Sequence, residues 1–346
     1  MSGKRILLIG PFGPGQLAES LARAFERLGY QVFRFDSDRA YFEAGPGARN
    51  RLTRRLLRRV YWDRMNMSTL EIVRCVRPAL VFCIKGTYLH PETIRRVRTT
   101  LGVPFANYYS DNPYCGMPLN PRKSSVQRRD LVDALREYTR VWIWERGMAK
   151  RLAADGVASA YLPFGVDPDV FRPLEAKDCA ECGQRHTAVF VGQHSDKREA
   201  HIAAVRRQSV ALWGNRWNRA DTVFNGRHRT HQRAAFGEDC ARLYSSAALS
   251  LNVVDDLNVP GHNMRTFEIP AARGLMLSTY TAEQAEFFPE EEAALYYRKP
   301  EEIDENIERA LKDETWADRL RGRAMMIAAD HHYTERVKAM NADLGE

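Results

Sequence analysis

Short apolar runs recur along the chain, and each ends in a loop that leads into a helix-like stretch. The first run, Lys4–Ile9, is continuous and closes at Gly10, which is typical of a strand buried on both faces of a parallel sheet. Residues Leu17–Leu28 then repeat apolar side chains at helical spacing until Gly29, and Tyr30–Phe35 forms a second apolar run. This order of strand, glycine loop, helix and strand predicts a Rossmann-like unit.

The same alternation continues to the end of the chain and restarts after a connector. The connector, Tyr161–Pro173, begins with a short strand pattern and continues with turn-forming residues near the middle of the sequence. The tail Trp316–Leu344 has a helical pattern. Two doubly wound α/β halves are therefore expected. The further predicted strands are Ala79–Ile84, Phe105–Tyr109, Thr139–Trp144, Ala188–Val191, Ser209–Trp213, Ala248–Val253 and Leu275–Ser278.

Length and composition agree with this organisation. The 346 residues suit two domains of about 150 residues each. Hydrophobic residues make up 44% and charged residues 28%, as in an ordinary globular protein. The sequence contains no apolar run near the roughly 18 residues that a membrane span requires, and Met1–Gly10 has no signal-peptide pattern. We expect a cytoplasmic protein.

Charge is divided unequally between the halves. Residues 1–165 contain 28 Lys and Arg against 14 Asp and Glu, a net charge of +14, whereas residues 166–346 have a net charge of −6. Part of the excess lies in an arginine-rich stretch with apolar residues at helical spacing. Two interpretations stay open: an interfacial helix on anionic lipid, or a packed helix with a solvated basic face. The stretch comprises Arg51, Leu52, Arg54, Arg55, Leu56, Leu57, Arg58, Arg59 and Val60.

Two cysteines and a histidine form a Cys-x-x-Cys-x3-His cluster at Cys179, Cys182 and His186. A structural zinc site requires four ligands, and His194 is the nearest fourth candidate. The alternative is an ordinary surface loop, which the sequence favours.

The segment Gly261–Gly274 places polar and charged residues just before an apolar stretch. If Arg265–Ala272 begins a helix, its free backbone N–H groups and positive dipole end favour an anionic ligand. A second loop has similar chemistry: Gly192 allows close backbone approach, and Lys197 and Arg198 suit a diphosphate. Because this loop begins at the carboxyl end of a predicted strand, it lies where open parallel sheets bind ligands.

Three sequence motifs resemble those of the CgeB-like glycosyltransferases of the GT-B fold. They are Ser110–Pro113, Leu162–Asp167 and Asn263–Glu268. The resemblance implies two Rossmann-like doubly wound domains facing a central cleft: an acceptor domain over residues 1–165 and a nucleotide-sugar donor domain over 166–320. It also implies that residues 321–346 form a helix that packs back on the N-terminal domain.

The resemblance also assigns roles in the donor domain. Arg198 matches an arginine that grips the donor pyrophosphate, and Glu268 matches a glutamate that accepts hydrogen bonds from the donor ribose. A second family glutamate, expected eight residues earlier, is replaced by Pro260. The nearest substitutes are His262, Asn263 and Arg265. Asn263 is suited to sugar or phosphate oxygens, and Arg265 either neutralises the leaving diphosphate or forms a structural salt bridge.

Further donor contacts are predicted at strand ends. Trp213 ends a strand and is expected either to form a wall for the nucleotide base or to belong to the core. Tyr280 and Thr281 follow the strand Leu275–Ser278 and are expected to reach the sugar or phosphate.

The acceptor is expected in the N-terminal half, at loops that share one sheet edge. Gly10, Phe12 and Gly13 follow the first strand, and Lys85 ends a later one. Asp111 is the candidate general base for an acceptor hydroxyl, with the alternative that it caps the Asp-Asn-Pro turn.

The expected reaction is transfer of a sugar from a nucleoside-diphosphate sugar to a hydroxyl of a glycan, lipid-linked or protein acceptor, without a bound metal or other cofactor. Two alternatives remain: a DNA-modifying glycosyltransferase that uses the basic half, and a non-catalytic module that binds sugar nucleotides. A Rossmann dehydrogenase is disfavoured, because Gly10–Gly15 lacks the Gly-x-Gly-x-x-Gly spacing.

Overall fold

A computed structural model describes residues 4–43, 50, 53, 56–114, 131–174 and 186–345. The chain divides into two compact units. The first consists of Met1–Pro163 with Arg336–Glu346, and the second of Phe164–Glu335. None of the helices in the described ranges combines the length and the apolar composition that a membrane span requires.

The first unit is built on a parallel sheet. Among the described residues its six strands lie in the order β2-β1-β3-β4-β5-β6. The order reverses between β1 and β3, so the loops after these two strands meet at the topological switch point. The strands are β1 (Arg5–Gly10), β2 (Gln31–Asp36), β3 (Leu80–Ile84), β4 (Phe105–Tyr109), β5 (Arg140–Ile143) and β6 (Ser159–Tyr161).

Helices connect these strands and cover the sheet. Helix α1 buries Leu17, Leu21 and Phe25, which follow helical spacing. The strands β1, β3 and β4 are buried on both faces, as their apolar runs predict. Among the described residues, the helices of this unit include α1 (Leu17–Arg27), α2 (Ser37–Phe42), α3 (Arg58–Val76), α4 (Pro91–Thr99) and α5 (Arg146–Ala154).

The second unit repeats this architecture with a different strand order. Its described strands are all parallel and lie in the order β12-β11-β10-β7-β8-β9, the arrangement of a classical dinucleotide-binding sheet. The order reverses between β7 and β10. The strands are β7 (Ala188–Val191), β8 (Val210–Trp213), β9 (Arg229–His231), β10 (Leu249–Asn252), β11 (Met276–Thr279) and β12 (Leu295–Tyr297).

Apolar side chains from both sheet faces and the surrounding helices form the core of the second unit, with Phe190, Trp217 and Leu251 almost fully buried. The last helix, α13, begins in this unit and continues into residues of the first. In the described part of this unit the helices are α6 (Asp196–Ala203), α7 (Asp221–Phe224), α8 (Glu238–Ser246), α9 (Arg265–Ala271), α10 (Ala282–Phe287), α11 (Ile303–Lys312), α12 (Glu314–Ala329) and the first residues of α13 (Tyr333–Leu344).

The end of the chain takes part in the first unit. Asp343 accepts two hydrogen bonds of 2.6 Å from the Arg140 guanidinium and one of 2.9 Å from Trp142 Nε1. Both partners belong to β5. Residues near the C-terminus therefore stabilise a strand that lies about 200 positions earlier in sequence.

The two-domain, doubly wound prediction is confirmed, and every strand predicted from an apolar run is present with ends shifted by at most two residues. Helix α9 also lies where the polar-to-apolar change predicts it. The sequence does not predict the edge strands β9 and β12, because each has only three residues and Arg229-Thr230-His231 contains no apolar run. The short strand predicted from Tyr161 onward is β6, which ends at Tyr161 and so lies earlier than predicted.

Candidate functional site

The loops after β7 and β10 meet at the switch point of the second sheet. Arg265 opens helix α9, and its Nε donates a 2.7 Å hydrogen bond to the carbonyl of Val191. This bond joins the end of β7 to the segment that follows β10. Gly192 lets the two segments approach closely, since an added Cβ atom would lie 3.1 Å from Arg265 Nη2 and 3.0 Å from the Phe190 ring.

A second arginine enters the same place from helix α6. Arg198 Nη1 donates to the carbonyl of Gln193 at 2.7 Å, while its Nε is buried without a hydrogen-bond partner. Burial and the nearby positive charge of Arg265 lower the pKa of Arg198 to about 10. Two guanidinium groups that repel each other, one with an unsatisfied N–H, form a site that an anion would stabilise.

Glu268 lies one turn after Arg265 on α9. It is partly buried, and within the described residues its carboxylate has no hydrogen-bond donor. Burial raises the pKa of Glu268 to about 7, and the charge of Arg265 opposes this shift. Cys240 and Tyr244 of α8 flank the pair: burial and then the charge of Glu268 raise the pKa of the Cys240 thiol, and burial raises the pKa of Tyr244 while Arg265 opposes that shift. Arg265 thus lies close enough to both Arg198 and Glu268 for its charge to act on each of them.

Backbone N–H groups at the start of α9 are hydrogen-bonded within the protein. The N–H of Thr266 bonds to the Asn263 carbonyl, and the N–H groups of Phe267 and Glu268 bond to the Met264 carbonyl. These donors are already used within the turn. The prediction that free N–H groups at this helix end hold the anion is therefore wrong for these three residues, and the charge of the site comes from the arginines.

Lys197 lies next to Arg198, but its ammonium group forms an ion pair with the exposed carboxylate of Asp256. The neighbouring Asp255 is close enough to affect the pKa of Arg198, opposing the effects of burial and Arg265. The Asp256 carboxylate therefore offsets the positive charge of Lys197. Lys197 adds less to the positive potential of the site than its position in the sequence predicts.

Asn263, predicted to contact the donor, takes part in a buried polar network. Its side-chain amide forms reciprocal hydrogen bonds of 2.9 and 3.2 Å with the amide of Asn252. Gln284 Oε1 accepts from Asn252, from Thr266 Oγ1 at 2.9 Å and from Ser278 Oγ at 3.0 Å. This network, which the sequence did not reveal, joins β10, β11 and α10 to the start of α9. It positions the helix that carries Arg265 and Glu268.

Two further predicted groups have structural partners. The Thr281 hydroxyl accepts from the N–H of Gln284 as the cap of α10 and donates to the Gly261 carbonyl at 2.8 Å. The His262 ring is fully buried: Nε2 accepts from the N–H of Phe164 at 3.1 Å, and Nδ1 lies 3.1 Å from a Glu283 oxygen. His262 therefore fixes the connector and does not replace the glutamate missing at position 260.

The aromatic candidates differ in accessibility. Trp213 is 1% exposed, and the His231 ring stacks on it with centroids 3.6 Å apart. Of its two predicted roles, the structure favours the core role, and His231 covers the face where a base would stack. Tyr280 is exposed at the end of β11, where the Arg298 guanidinium lies 4.1 Å above its ring.

In the first unit, the predicted acceptor residues lie at the carboxyl edge of the sheet. Gly10 ends β1 against Ala18 and Ile84, where an added Cβ would come within 3.0 and 3.3 Å of their side chains. Phe12 and Gly13 follow in the same loop and are partly buried. The glycine at position 10 thus serves close packing between strand and helix.

Lys85 and Asp111 meet at this edge as an ion pair. Lys85 has a φ of 64°, an uncommon left-handed conformation for a residue with a side chain. The Asp111 side chain is 50% exposed, so its carboxylate contacts solvent as well as Lys85. Asp38, which sequence reasoning missed, has its pKa raised by burial and by Asp36, with Lys85 opposing.

The zinc hypothesis falls mostly outside the described residues, since Cys179 and Cys182 are not among them. His186 is buried against the Trp213 ring, and His194 Nε2 lies 2.6 Å from a Glu199 oxygen. Among the residues that the structure describes, no three His, Cys, Asp or Glu side chains are grouped as metal ligands would be.

The segment that carries both arginines and Glu268 corresponds to a known family. Residues 196–342 match the family described as glycosyl transferase-like. No curated protein matches the sequence. The matched segment begins at α6 and extends into the last helix, so it includes most of the second unit.

Solved structures match over nearly the whole chain. Sucrose-phosphate synthase from Thermosynechococcus elongatus has a TM-score of 0.74 at 14% identity, with 99% of each chain covered. The trehalose-6-phosphate synthase OtsA has a TM-score of 0.68 at 12% identity, with 99% of each chain covered. Anabaena HepE, solved in complex with UDP-glucose, has a TM-score of 0.67 at 12% identity, with 98% of each chain covered. At these identities the similarity establishes the fold, which is GT-B.

Proposed function

We propose that this protein is a glycosyltransferase that moves a sugar from a nucleoside-diphosphate sugar to an acceptor hydroxyl. The observation that carries the proposal is the grouping of Arg198, Arg265 and Glu268 at the switch point of the second sheet. All three lie in the segment that matches the glycosyl transferase-like family. A structural neighbour, Anabaena HepE, was solved with UDP-glucose.

In this proposal the two arginines hold the diphosphate. An anion placed between them would satisfy the buried Nε of Arg198 and offset the repulsion from Arg265. The same contacts strengthen as negative charge develops on the leaving diphosphate, so they lower the barrier to transfer. Charge neutralisation then comes from guanidinium groups, in keeping with the expectation that neither metal nor another cofactor is needed.

Glu268 is proposed to accept hydrogen bonds from the ribose hydroxyls. A carboxylate offers several acceptor sites to a vicinal diol. Because burial raises the pKa of Glu268 to about 7, part of the unliganded protein carries a protonated carboxyl at neutral pH. Donor binding through an ionised Glu268 should therefore release a proton and strengthen as pH rises from 6 to 8.

The acceptor is proposed to bind at the carboxyl edge of the first sheet, beside Lys85, Asp111 and Asp38. The motifs Ser110–Pro113 and Leu162–Asp167 further support assignment to the CgeB-like subfamily. A cytoplasmic location stays a prediction.

The test is a thermal-shift panel of nucleoside diphosphates and sugar nucleotides, followed by titration calorimetry with the strongest binder. A ligand that binds only the folded protein raises its melting temperature. Arg198→Ala should weaken diphosphate binding by about 10- to 100-fold, because a charge-assisted hydrogen bond contributes about 1.5–3 kcal/mol. Arg219→Ala, at an exposed arginine of the same unit, is the matched control and should bind as the wild type does. A panel without any response, or undiminished binding by Arg198→Ala, would contradict the proposal.

A non-catalytic sugar-nucleotide-binding module is a second candidate, favoured by Pro260 at the position of the second family glutamate. The two candidates differ in turnover. Release of nucleoside diphosphate from a bound donor, even by slow hydrolysis, supports the enzyme, whereas tight binding without any turnover across acceptors supports the module.

A further inference from the structure

Exposed apolar side chains are concentrated at the start of helix α3. In the described part of the chain, ten large hydrophobic side chains are exposed, and four of them fall within residues 56–67. Leu56 is 75% exposed and Met67 61%, with Leu57 and Val60 also exposed. Single exposed apolar residues are normal, but a cluster on one short segment indicates a binding surface.

These side chains do not belong to the packing face of the helix. The opposite face of α3 buries Tyr61, Met65 and Val73 in the first unit. Asn66 anchors that face, since its Oδ1 accepts from the N–H of His90 and its Nδ2 donates to the Tyr88 carbonyl. The helix is therefore held firmly from one side. We name its exposed side, with Leu56, Leu57, Arg59, Val60, Arg64 and Met67, the α3 surface.

The α3 surface combines apolar and basic groups. Val60 and Met67 are seven residues apart, about two turns, so they lie on one face of the helix. Arg59 and Arg64 are exposed beside them. In sequence, residues 51–64 contain six arginines and one acidic residue, Asp63. This segment lies in the half of the chain that has a net charge of +14.

We propose that the α3 surface binds membranes that contain anionic lipids. Anionic headgroups complement the arginines, and the acyl boundary accepts leucine, valine and methionine side chains at the same time. A symmetric pair of chains would bring two equally basic surfaces together, which repel each other. A nucleic acid backbone would pair with the arginines but leave the apolar side chains in water. The lipid surface satisfies both features.

The binding would be peripheral and reversible. The apolar groups extend over about three helical turns and reach only the interface between headgroups and acyl chains. Arginine attraction to a charged leaflet is screened by salt, so affinity should fall as ionic strength rises.

The test is co-sedimentation of the full chain with vesicles of phosphatidylcholine alone and with 30% phosphatidylglycerol. We expect binding to the anionic vesicles that weakens from 50 to 300 mM salt, and little binding to the neutral ones. The variant Leu56→Ser/Val60→Ser/Met67→Ser should bind anionic vesicles at least roughly tenfold more weakly, because three apolar side chains lose their contact with the acyl region. Circular dichroism should be unchanged, since the three positions are exposed.

Matched control variants distinguish binding through the α3 surface from nonspecific hydrophobic or electrostatic binding of the chain to vesicles. Val223→Ser/Met326→Ser replaces exposed apolar residues of the second unit, and Arg216→Glu/Arg219→Glu reverses exposed charges there. Both should bind as the wild type does, whereas Arg59→Glu/Arg64→Glu should lose binding. The proposal is wrong if the serine variant binds normally, if neutral vesicles bind equally well, or if the wild type instead dimerises through this surface or shifts duplex DNA. No donor is needed, so failure here leaves the proposed transfer reaction intact.

Discussion

Replacing Glu268 with glutamine should make the protein more stable at alkaline pH and less able to bind its donor. A pKa raised from 4.5 to about 7 means that the folded state disfavours the charged carboxylate by about 3 kcal/mol. Between these two values the folded protein binds the proton more tightly than the unfolded chain does. The stability of the wild type should therefore fall as pH rises from about 4.5 and level off above about 7.

Glutamine has the shape of the protonated acid but never ionises. At pH 5 the two proteins should melt within about 2 °C of each other, whereas at pH 8 the Glu268→Gln variant should melt about 6–12 °C higher, given about 2–4 °C per kcal/mol for a unit of this size. The melting temperature is measured from pH 5 to 8.5 for both proteins. Their affinities for a nucleoside diphosphate sugar are then compared by titration calorimetry. Stability gained where binding is lost is the usual sign of a functional residue.

The control is Glu292→Gln, which changes an exposed carboxylate of the same unit and should give a curve parallel to the wild type. Parallel curves for Glu268→Gln would refute the reasoning, because they would show that the carboxylate is not disfavoured in the folded state. Unchanged donor affinity in a stabilised variant would instead refute only the proposed contact with the ribose.

Three further predictions concern other parts of the chain. Gln284→Leu removes the acceptor of buried Asn252, Thr266 and Ser278 groups, and should lower the free energy of unfolding by about 3 kcal/mol in urea titrations. Gly214→Ala places a Cβ 2.0 Å from the Gly192 carbonyl oxygen; a displaced loop should lower the melting temperature and weaken diphosphate binding together. Asp111→Asn breaks the ion pair with Lys85, and should raise KM for the acceptor with an unchanged Kd for the donor. An Asp111→Asn variant whose kinetics match the wild type would remove this pair from the acceptor site.

The sequence predicts the fold well, because buried parallel strands such as Ala188–Val191 are continuous apolar runs that can be recognised without knowledge of their neighbours. It also predicts Arg198 and Arg265 as basic residues beyond strand ends. The two arginines lie close together because β7 pairs with β10, a strand about 60 residues later in the sequence. Periodicity alone does not specify such a pairing.

Prediction from sequence is less accurate for polar side chains that can either form structural hydrogen bonds or bind a ligand. Asn263 and Thr281 are predicted to contact the donor because they lie near the expected site, and in the structure their side chains hold α9 and α10 in place. Their partners, Asn252 and Gln284, lie on other elements and carry no local signal. Whether such a residue faces inward is decided by tertiary packing, which the sequence pattern does not report.

The hydrogen bonds from Asp343 to β5 affect the order in which the protein can form. A ribosome synthesises the strands of the first unit early, but that unit gains its contacts to Arg140 and Trp142 only after residue 343 has emerged. The first unit is therefore synthesised first but forms these contacts last. A tag or deletion at the end of the chain would consequently disturb the unit that begins it, and shortened versions that stop after the second sheet should be difficult to express.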